Sequence, residues 1–311
     1  MQKVIAIVGP TASGKTAFSL ALAKHFKGIV ISADSRQVYK EMQVNTATPA
    51  GTWRAPNAYY RHFLGPKKRY HVQDIPHFLM DEVAPNEAFT LADYQRRVND
   101  ELAALRRHEG ATPVFLVGGT GLYIDAVCQG FVLPTFSARR RAKLAKKPLP
   151  ELLRMLKKLD SATWRVIDRK NPRRVLRAVE ASMAGVPFSA QRKKAAPAFD
   201  VLYLGLNPAR SVLEKHLRLR AKTMFKAGLL AETKRLMKRY AFTLPALSAI
   251  GYADAARVAR GEMTKQEAVD RRVTADMQYA KRQMTWFKRN TKIHWNLSPA
   301  AAVKFVQRFL A

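Results

Sequence analysis

Eight residues near the start of the chain, Gly9-Pro10-Thr11-Ala12-Ser13-Gly14-Lys15-Thr16, satisfy the pattern G-x-x-x-x-G-K-[ST] at every fixed position. That spacing suits one kind of ligand. Glycines let the backbone curl so that several N–H groups converge, and a following helix N-terminus adds partial positive charge. Lys15 can then reach the outermost phosphate while the Thr16 hydroxyl ligates Mg2+. The pattern predicts a diphosphate or triphosphate and does not choose between them. Two further groups could act beside it. One is the carboxylate of Asp34 in Ala33-Asp34-Ser35-Arg36-Gln37, the other the hydroxyl of Thr120 in Gly118-Gly119-Thr120-Gly121. Taken singly, each is explained equally well as a turn residue.

Strands must bring these three groups together. Val4–Val8, Ile29–Ser32 and Pro113–Val117 are short apolar runs, as expected of strands buried on both faces of a parallel sheet. Each chemical group directly follows one of them, and open parallel sheets bind ligands outside the carboxyl ends of their strands. The expected fold is α/β: a P-loop NTPase-like parallel sheet flanked by helices. Gly119-Thr120-Gly121 is not a dinucleotide fingerprint, because Ile124 stands where its third glycine belongs.

Further along, Asn45–Gln73 reads as a loop-rich surface insertion with Trp53, Tyr59, Tyr60 and Lys67-Lys68-Arg69. Asp93–His108 has helical periodicity. Leu149–Leu159 and Arg173–Met183 suggest a small helical insertion over residues 131–199, splitting a core of residues 1–130 and 200–311. Val201–Leu206 reads as a strand returning to the sheet. His216–Tyr240 and Thr264–Asn290 read as long helices, the second opened by the capping box Thr264-Lys-Gln-Glu267.

Charge divides the chain of 311 residues. Residues 1–130 hold 15 basic and 11 acidic side chains, whereas residues 131–311 hold 40 and 12, within a net charge of +32. Self-repulsion of that size opposes the compact state, so a polyanionic partner is expected, nucleic acid before membrane. With 48% apolar residues the chain is not a disordered basic tail. No apolar run approaches the roughly 18 residues of a spanning helix. Cys128 stands alone, which excludes an internal disulfide and a Cys-rich zinc site. A strand beginning at Val4 leaves no room for a signal or transit peptide, so a reducing cytoplasm is the expected setting.

The P-loop, Ile31-Ser-Ala-Asp-Ser-Arg-Gln-Val-Tyr39, Leu116-Val-Gly-Gly-Thr-Gly-Leu-Tyr123, Ile250-Gly-Tyr252 and Tyr279-Ala-Lys-Arg-Gln-Met-Thr-Trp-Phe287 form one ordered set. Together they resemble the tRNA dimethylallyltransferase (tRNA isopentenyltransferase) family from about residue 3 to 296. The resemblance implies transfer of a dimethylallyl group from dimethylallyl diphosphate to N6 of the adenosine 3′ to the anticodon, with Mg2+. The P-loop would hold the donor's diphosphate, so ATP would not be the substrate.

Under that resemblance Asp34 is the general base and Thr120 lies near the bridging oxygen. Gly9, Thr11, Ala12, Ser13, Gly14, Lys15, Thr16 and Arg220 hold the diphosphate. Asp34, Ser35, Arg36 and Gln37 meet the target base and its neighbours. Arg173, Arg174 and Arg177 match an anticodon-loop segment, and Lys281, Arg282 and Gln283 match a third tRNA contact. The partner would be the anticodon stem-loop of tRNA, bound by a monomer. Departures from the family pattern fall at Asn45, at Thr48 where a lysine is usual, at His216 and Met277 where arginines are usual, and at Arg173 for glutamine. Two other readings share the P-loop. A nucleotide or nucleoside kinase leaves the basic half unexplained, and a non-catalytic RNA-binding protein leaves Lys15 and Thr16 without purpose.

Overall fold

A computed structural model of the chain describes residues 2–106, 112–133, 138–191 and 199–311. The first half runs β1 (Gln2–Val8), α1 (Lys15–His25), β2 (Ile29–Ser32), α2 (Gln43–Thr46), β3 (Thr52–Arg54) and α3 (Ala58–Leu64). It continues through β4 (Arg69–Val72), β5 (Ile75–Phe78), α4 (Leu91–Leu105), β6 (Val114–Gly118) and α5 (Gly121–Cys128). Five helices follow: α6 (Ala138–Ala145), α7 (Leu149–Leu159), α8 (Ser161–Val166), α9 (Pro172–Met183) and α10 (Phe188–Gln191). The chain then re-enters the sheet as β7 (Phe199–Gly205) and adds α11 (Arg210–Lys226), α12 (Leu229–Arg239), α13 (Tyr252–Ala259) and α14 (Lys265–Phe287). It closes with β8 (Ile293–Trp295) and α15 (Pro299–Leu310).

Residues 1–124 and 199–311 form one compact unit, and residues 125–198 a second. The first is built on an eight-stranded sheet in the order β3-β4-β5-β2-β6-β1-β7-β8. From β5 to β8 all neighbours are parallel, and β4 runs antiparallel between β3 and β5. Such a parallel sheet needs cover on both faces, which is why β1 from Val4 and Ile29–Ile31 of β2 are buried apolar runs. Leu22 and Ala23 of α1 and Ala302 and Val306 of α15 pack with Ile5, Ile7, Val30 and Phe115. Phe115 is fully buried, and trimming such a side chain to alanine costs about 3–5 kcal/mol.

The second unit is helical. Leu144, Leu152, Leu156, Val175, Ala178 and Val179 make its core. Its first residue, Asp125, lies earlier than the expected boundary at residue 131.

Two expectations needed correction. Asn45–Gln73 is not loop-rich: it holds the end of α2, then β3, α3 and β4, and widens the sheet at one edge. Tyr60 anchors it by donating to Gly28 O (3.1 Å), and within it Tyr70 donates to Pro49 O (2.8 Å). Likewise His216–Tyr240 is not one helix. Gly228 at φ +99° adopts a left-handed conformation that stops α11 and starts α12.

Candidate active site

The register sets three strand ends side by side. Val8 of β1 pairs with Gly118 of β6, and Ser32 of β2 pairs with Val117 of β6. Gly9, Ala33-Asp34 and Gly119-Thr120 therefore leave the sheet together. Their approach requires a glycine at 118, where a Cβ would lie 2.1 Å from Ala33 O.

The P-loop curls through positive φ at Gly9 (+149°), Ala12 (+60°) and Gly14 (+91°), a succession that turns backbone N–H groups inward. Gly14 caps α1 without a side-chain hydrogen bond, and no acidic residue occupies the helix's first turn. That end of α1 is consequently electropositive. Lys15 crosses the loop and donates to Pro10 O (2.6 Å) and Ser13 Oγ (3.5 Å). Burial pushes its ammonium down to about 8, with Asp34 opposing the shift and Arg220 adding to it. Thr16 is exposed at the start of the helix.

Asp34 is half-buried, and its Oδ1 accepts from the amides of Arg36 (2.8 Å) and Gln37 (3.4 Å). This turn fixes the carboxylate through one oxygen and leaves Oδ2 to meet a proton. Thr120 joins the other two segments. Its Oγ1 accepts from Ser35 N (3.2 Å), and its own N–H donates to Ala33 O (3.1 Å), with Tyr279 of α14 beside it. Burial first, and the charge of Asp34 second, raise the Tyr279 phenol. Tyr123 is buried, stacked on Tyr94 with ring centroids 4.0 Å apart, and its phenol is raised chiefly by burial.

Several residues expected to contact the RNA are hydrogen-bonded within the protein. Gln283 is buried: its Oε1 accepts from Thr11 N and its Nε2 donates to Gly119 O, both at 2.8 Å. It ties the P-loop to the glycine turn. The Arg36 guanidinium donates to Pro245 O (2.6 Å), Ala246 O (3.3 Å) and Ser248 Oγ (3.2 Å). Gln37 accepts from Ser32 Oγ (3.3 Å) and donates to Ala47 O (3.4 Å). Ser35 is half-buried, while Lys281 and Arg282 are exposed on α14, with Arg282 5.7 Å from the Tyr279 ring centroid.

From α11, Leu213 and Leu217 pack near Ala12 and Ala280. His216 and Arg220 share that side by helical spacing. His216 Nδ1 donates to Ala12 O (3.3 Å), and Arg220 Nη2 donates to Asp276 Oδ2 (3.1 Å). The departure at His216 thus touches the P-loop itself. The departure at Thr48 bonds Thr46 (2.8 Å).

In the helical unit, Arg173 and Arg174 are exposed in the first turn of α9. Cations there oppose the helix dipole, at about 0.3–1 kcal/mol each. Arg177 differs: it pairs with buried Glu180 (3.0 Å), which also receives Arg141 (3.0 Å).

Tyr279, Arg272, Asp276 and Glu232 were not among the expected site residues. A signal existed for Arg272 and Asp276. The apolar stripe Val269, Val273 and Ala280 of α14 also passes through the charged positions Arg272 and Asp276, and both are buried.

A P-loop motif, a carboxylate and a hydroxyl at adjacent ends of a largely parallel, helix-flanked sheet place the chain in the P-loop-like α/β class. The comparisons narrow that class. The profile described as IPP transferase matches residues 37–290, and that described as isopentenyl transferase matches residues 2–53. A tRNA dimethylallyltransferase from a Picosynechococcus species is 36% identical over 295 residues, covering 94% of this chain and 92% of the relative. That of Gloeobacter violaceus is 34% identical over 321 residues, with both chains fully covered. The solved tRNA isopentenylpyrophosphate transferase of Bacillus halodurans superposes with a TM-score of 0.66 at 31% identity, covering 100% of this chain and 96% of that one. The chain belongs to the IPP transferase family.

Proposed function

We propose that this chain transfers a dimethylallyl group from dimethylallyl diphosphate to N6 of the adenosine 3′ to the anticodon of tRNA. The observation that carries the reading is the convergence of Asp34, Thr120 and Lys15 on one edge of the sheet. An exocyclic adenine amine is a poor nucleophile because its lone pair is delocalised into the ring. As its C–N bond to the prenyl carbon forms, the carbon–oxygen bond to diphosphate breaks and N6 must lose a proton. Asp34 Oδ2 accepts that proton, while Oδ1 stays held by the Arg36 and Gln37 amides. The departing pyrophosphate gathers negative charge, which the P-loop amides, Lys15 and Arg220 stabilise. Thr120 ties the glycine turn to the Asp34 segment through its bonds to Ser35 and Ala33.

Mg2+ fits this donor set. It holds few protein ligands and favours phosphate oxygens and water, and the exposed Thr16 hydroxyl supplies the one protein oxygen the cradle needs. When bound, it would neutralise charge on the leaving diphosphate. Exposed Arg173, Arg174, Lys281 and Arg282 supply phosphate contacts for the RNA. Among the described residues no helix is long and apolar enough to cross a membrane.

A kinase would use the same cradle, but the matching family and relatives point away from it. Pyrophosphate release distinguishes the two. The account expects release only when unmodified tRNA and dimethylallyl diphosphate are both present. Phosphate transfer from ATP to a nucleoside would overturn it.

A further inference from the structure

A run of buried charge on α14 takes no direct part in the chemistry above. Asp276 has a side chain only 5% exposed, and its Oδ2 lies 3.1 Å from Arg220 Nη2 and 3.4 Å from Arg272 Nε. Arg272, equally buried, donates from Nη1 to Asn45 Oδ1 (2.5 Å) and from Nη2 to Asn45 O (3.0 Å). The amides of Asn45 (3.0 Å) and Val44 (2.8 Å) donate in turn to Glu232, which also accepts from Tyr252 (2.9 Å). Gly251 makes room for the arginine, since a Cβ there would sit 2.2 Å from Arg272 Nη1. One end of the run is therefore fastened to α2, α12 and α13.

The other end faces the cradle. Arg220's charge acts on Lys15, and one turn earlier on α11 His216 touches Ala12. Arg220 Nε is buried and has no hydrogen-bond partner within the protein. Such a network is costly to keep: desolvating ion pairs often cancels their attraction, and orphaned buried donors add to the expense. What it gains is a long side chain fixed before its ligand arrives. Freezing a free arginine would otherwise subtract from binding.

We infer that Asp276 is a positioning residue for the diphosphate site, holding the Arg220 guanidinium against the phosphate cradle with Arg272 and Asn45 as its anchor. The inference rests on the diphosphate reading of the P-loop. Asp276 does not touch the substrate; it acts through Arg220.

Calorimetric titration of pyrophosphate with Mg2+ onto the full chain tests it. If the unaltered protein binds no pyrophosphate, the diphosphate reading itself fails, and this inference with it. Given that binding, Asp276→Asn should weaken it by about tenfold, the size of one charge-assisted contact, with tRNA affinity unchanged. In an Arg220→Gln background the same change should have no further effect, a coupling that a merely structural role would not produce. Should Asp276→Asn fail to fold, the variant Asp276→Asn with Arg272→Gln removes one buried charge of each sign and should show the same loss. Pyrophosphate bound as tightly as by the unaltered protein in either folded variant, or an equal loss with and without Arg220, overturns the inference.

Discussion

Gln283 donates to the Gly119 carbonyl at 2.8 Å while taking the Thr11 amide at the same distance, so one side chain of α14 joins two strand ends. Replacing it with leucine keeps the bulk and orphans both backbone groups. The expected loss of stability is about 1–3 kcal/mol for each group, measured by urea unfolding. Affinity for the prenyl donor should fall as well, because Thr11 is part of the cradle. Unchanged unfolding midpoints would show that the brace has no role.

Asp34→Asn keeps an oxygen to accept from the Arg36 and Gln37 amides but cannot take a proton. Turnover should fall by about 10²–10⁴, the usual contribution of a positioned base. Binding of tRNA and of pyrophosphate should stay as before. Normal single-turnover rates in this variant would remove Asp34 from the role assigned to it.

Lys15 gives the reaction an alkaline limit. Its ammonium is held down at about 8, below the ordinary 10.5, mainly by burial. Donor capture, read as kcat/KM in the free enzyme, should therefore decline as pH rises through about 8. Lys15→Arg should move that limb upward, because guanidinium keeps its charge. Stability has the opposite slope. The folded state binds this proton less tightly than the unfolded chain, so the penalty is fully present below the folded value. It is relieved as pH rises from about 8 towards 10.5. A flat rate profile across that window would contradict the assignment.

The basic second half should be visible in salt dependence. Plots of log affinity for tRNA against log salt should fall steeply, since phosphate contacts release counterions. Arg173→Ala and Arg174→Ala should each reduce the slope by about 1 and weaken binding evenly across tRNAs. Arg177→Ala should instead destabilise the helical unit, because it leaves buried Glu180 with one partner fewer.

Much of this was legible in the sequence because it rests on strong local patterns. The apolar runs at Val4, Ile29 and Pro113 and the P-loop after the first of them dictate three strand ends, and the register then brings Asp34 and Thr120 to the cradle. What stayed hidden depends on contacts distant in the chain. Arg36 and Gln283 read as RNA-facing polar residues, yet their partners lie 209 and 164 positions away. The strands of the Asn45–Gln73 segment are three and four residues long, too short for a period to register. Its hairpin turns through Gln73 and Asp74, both at positive φ, without the Asn-Gly or Asp-Gly pair that usually announces such a turn. The break at Gly228 shows in the sequence only as a single glycine, which a helical pattern tolerates.

The most direct test of the central claim is chemical. Unmodified tRNA would be incubated with the protein, Mg2+ and either dimethylallyl diphosphate or ATP, then digested to nucleosides and analysed by mass spectrometry. The account predicts N6-isopentenyladenosine, located 3′ to the anticodon, in the prenyl-donor reaction alone. ATP consumption with no modified nucleoside in either reaction would contradict it.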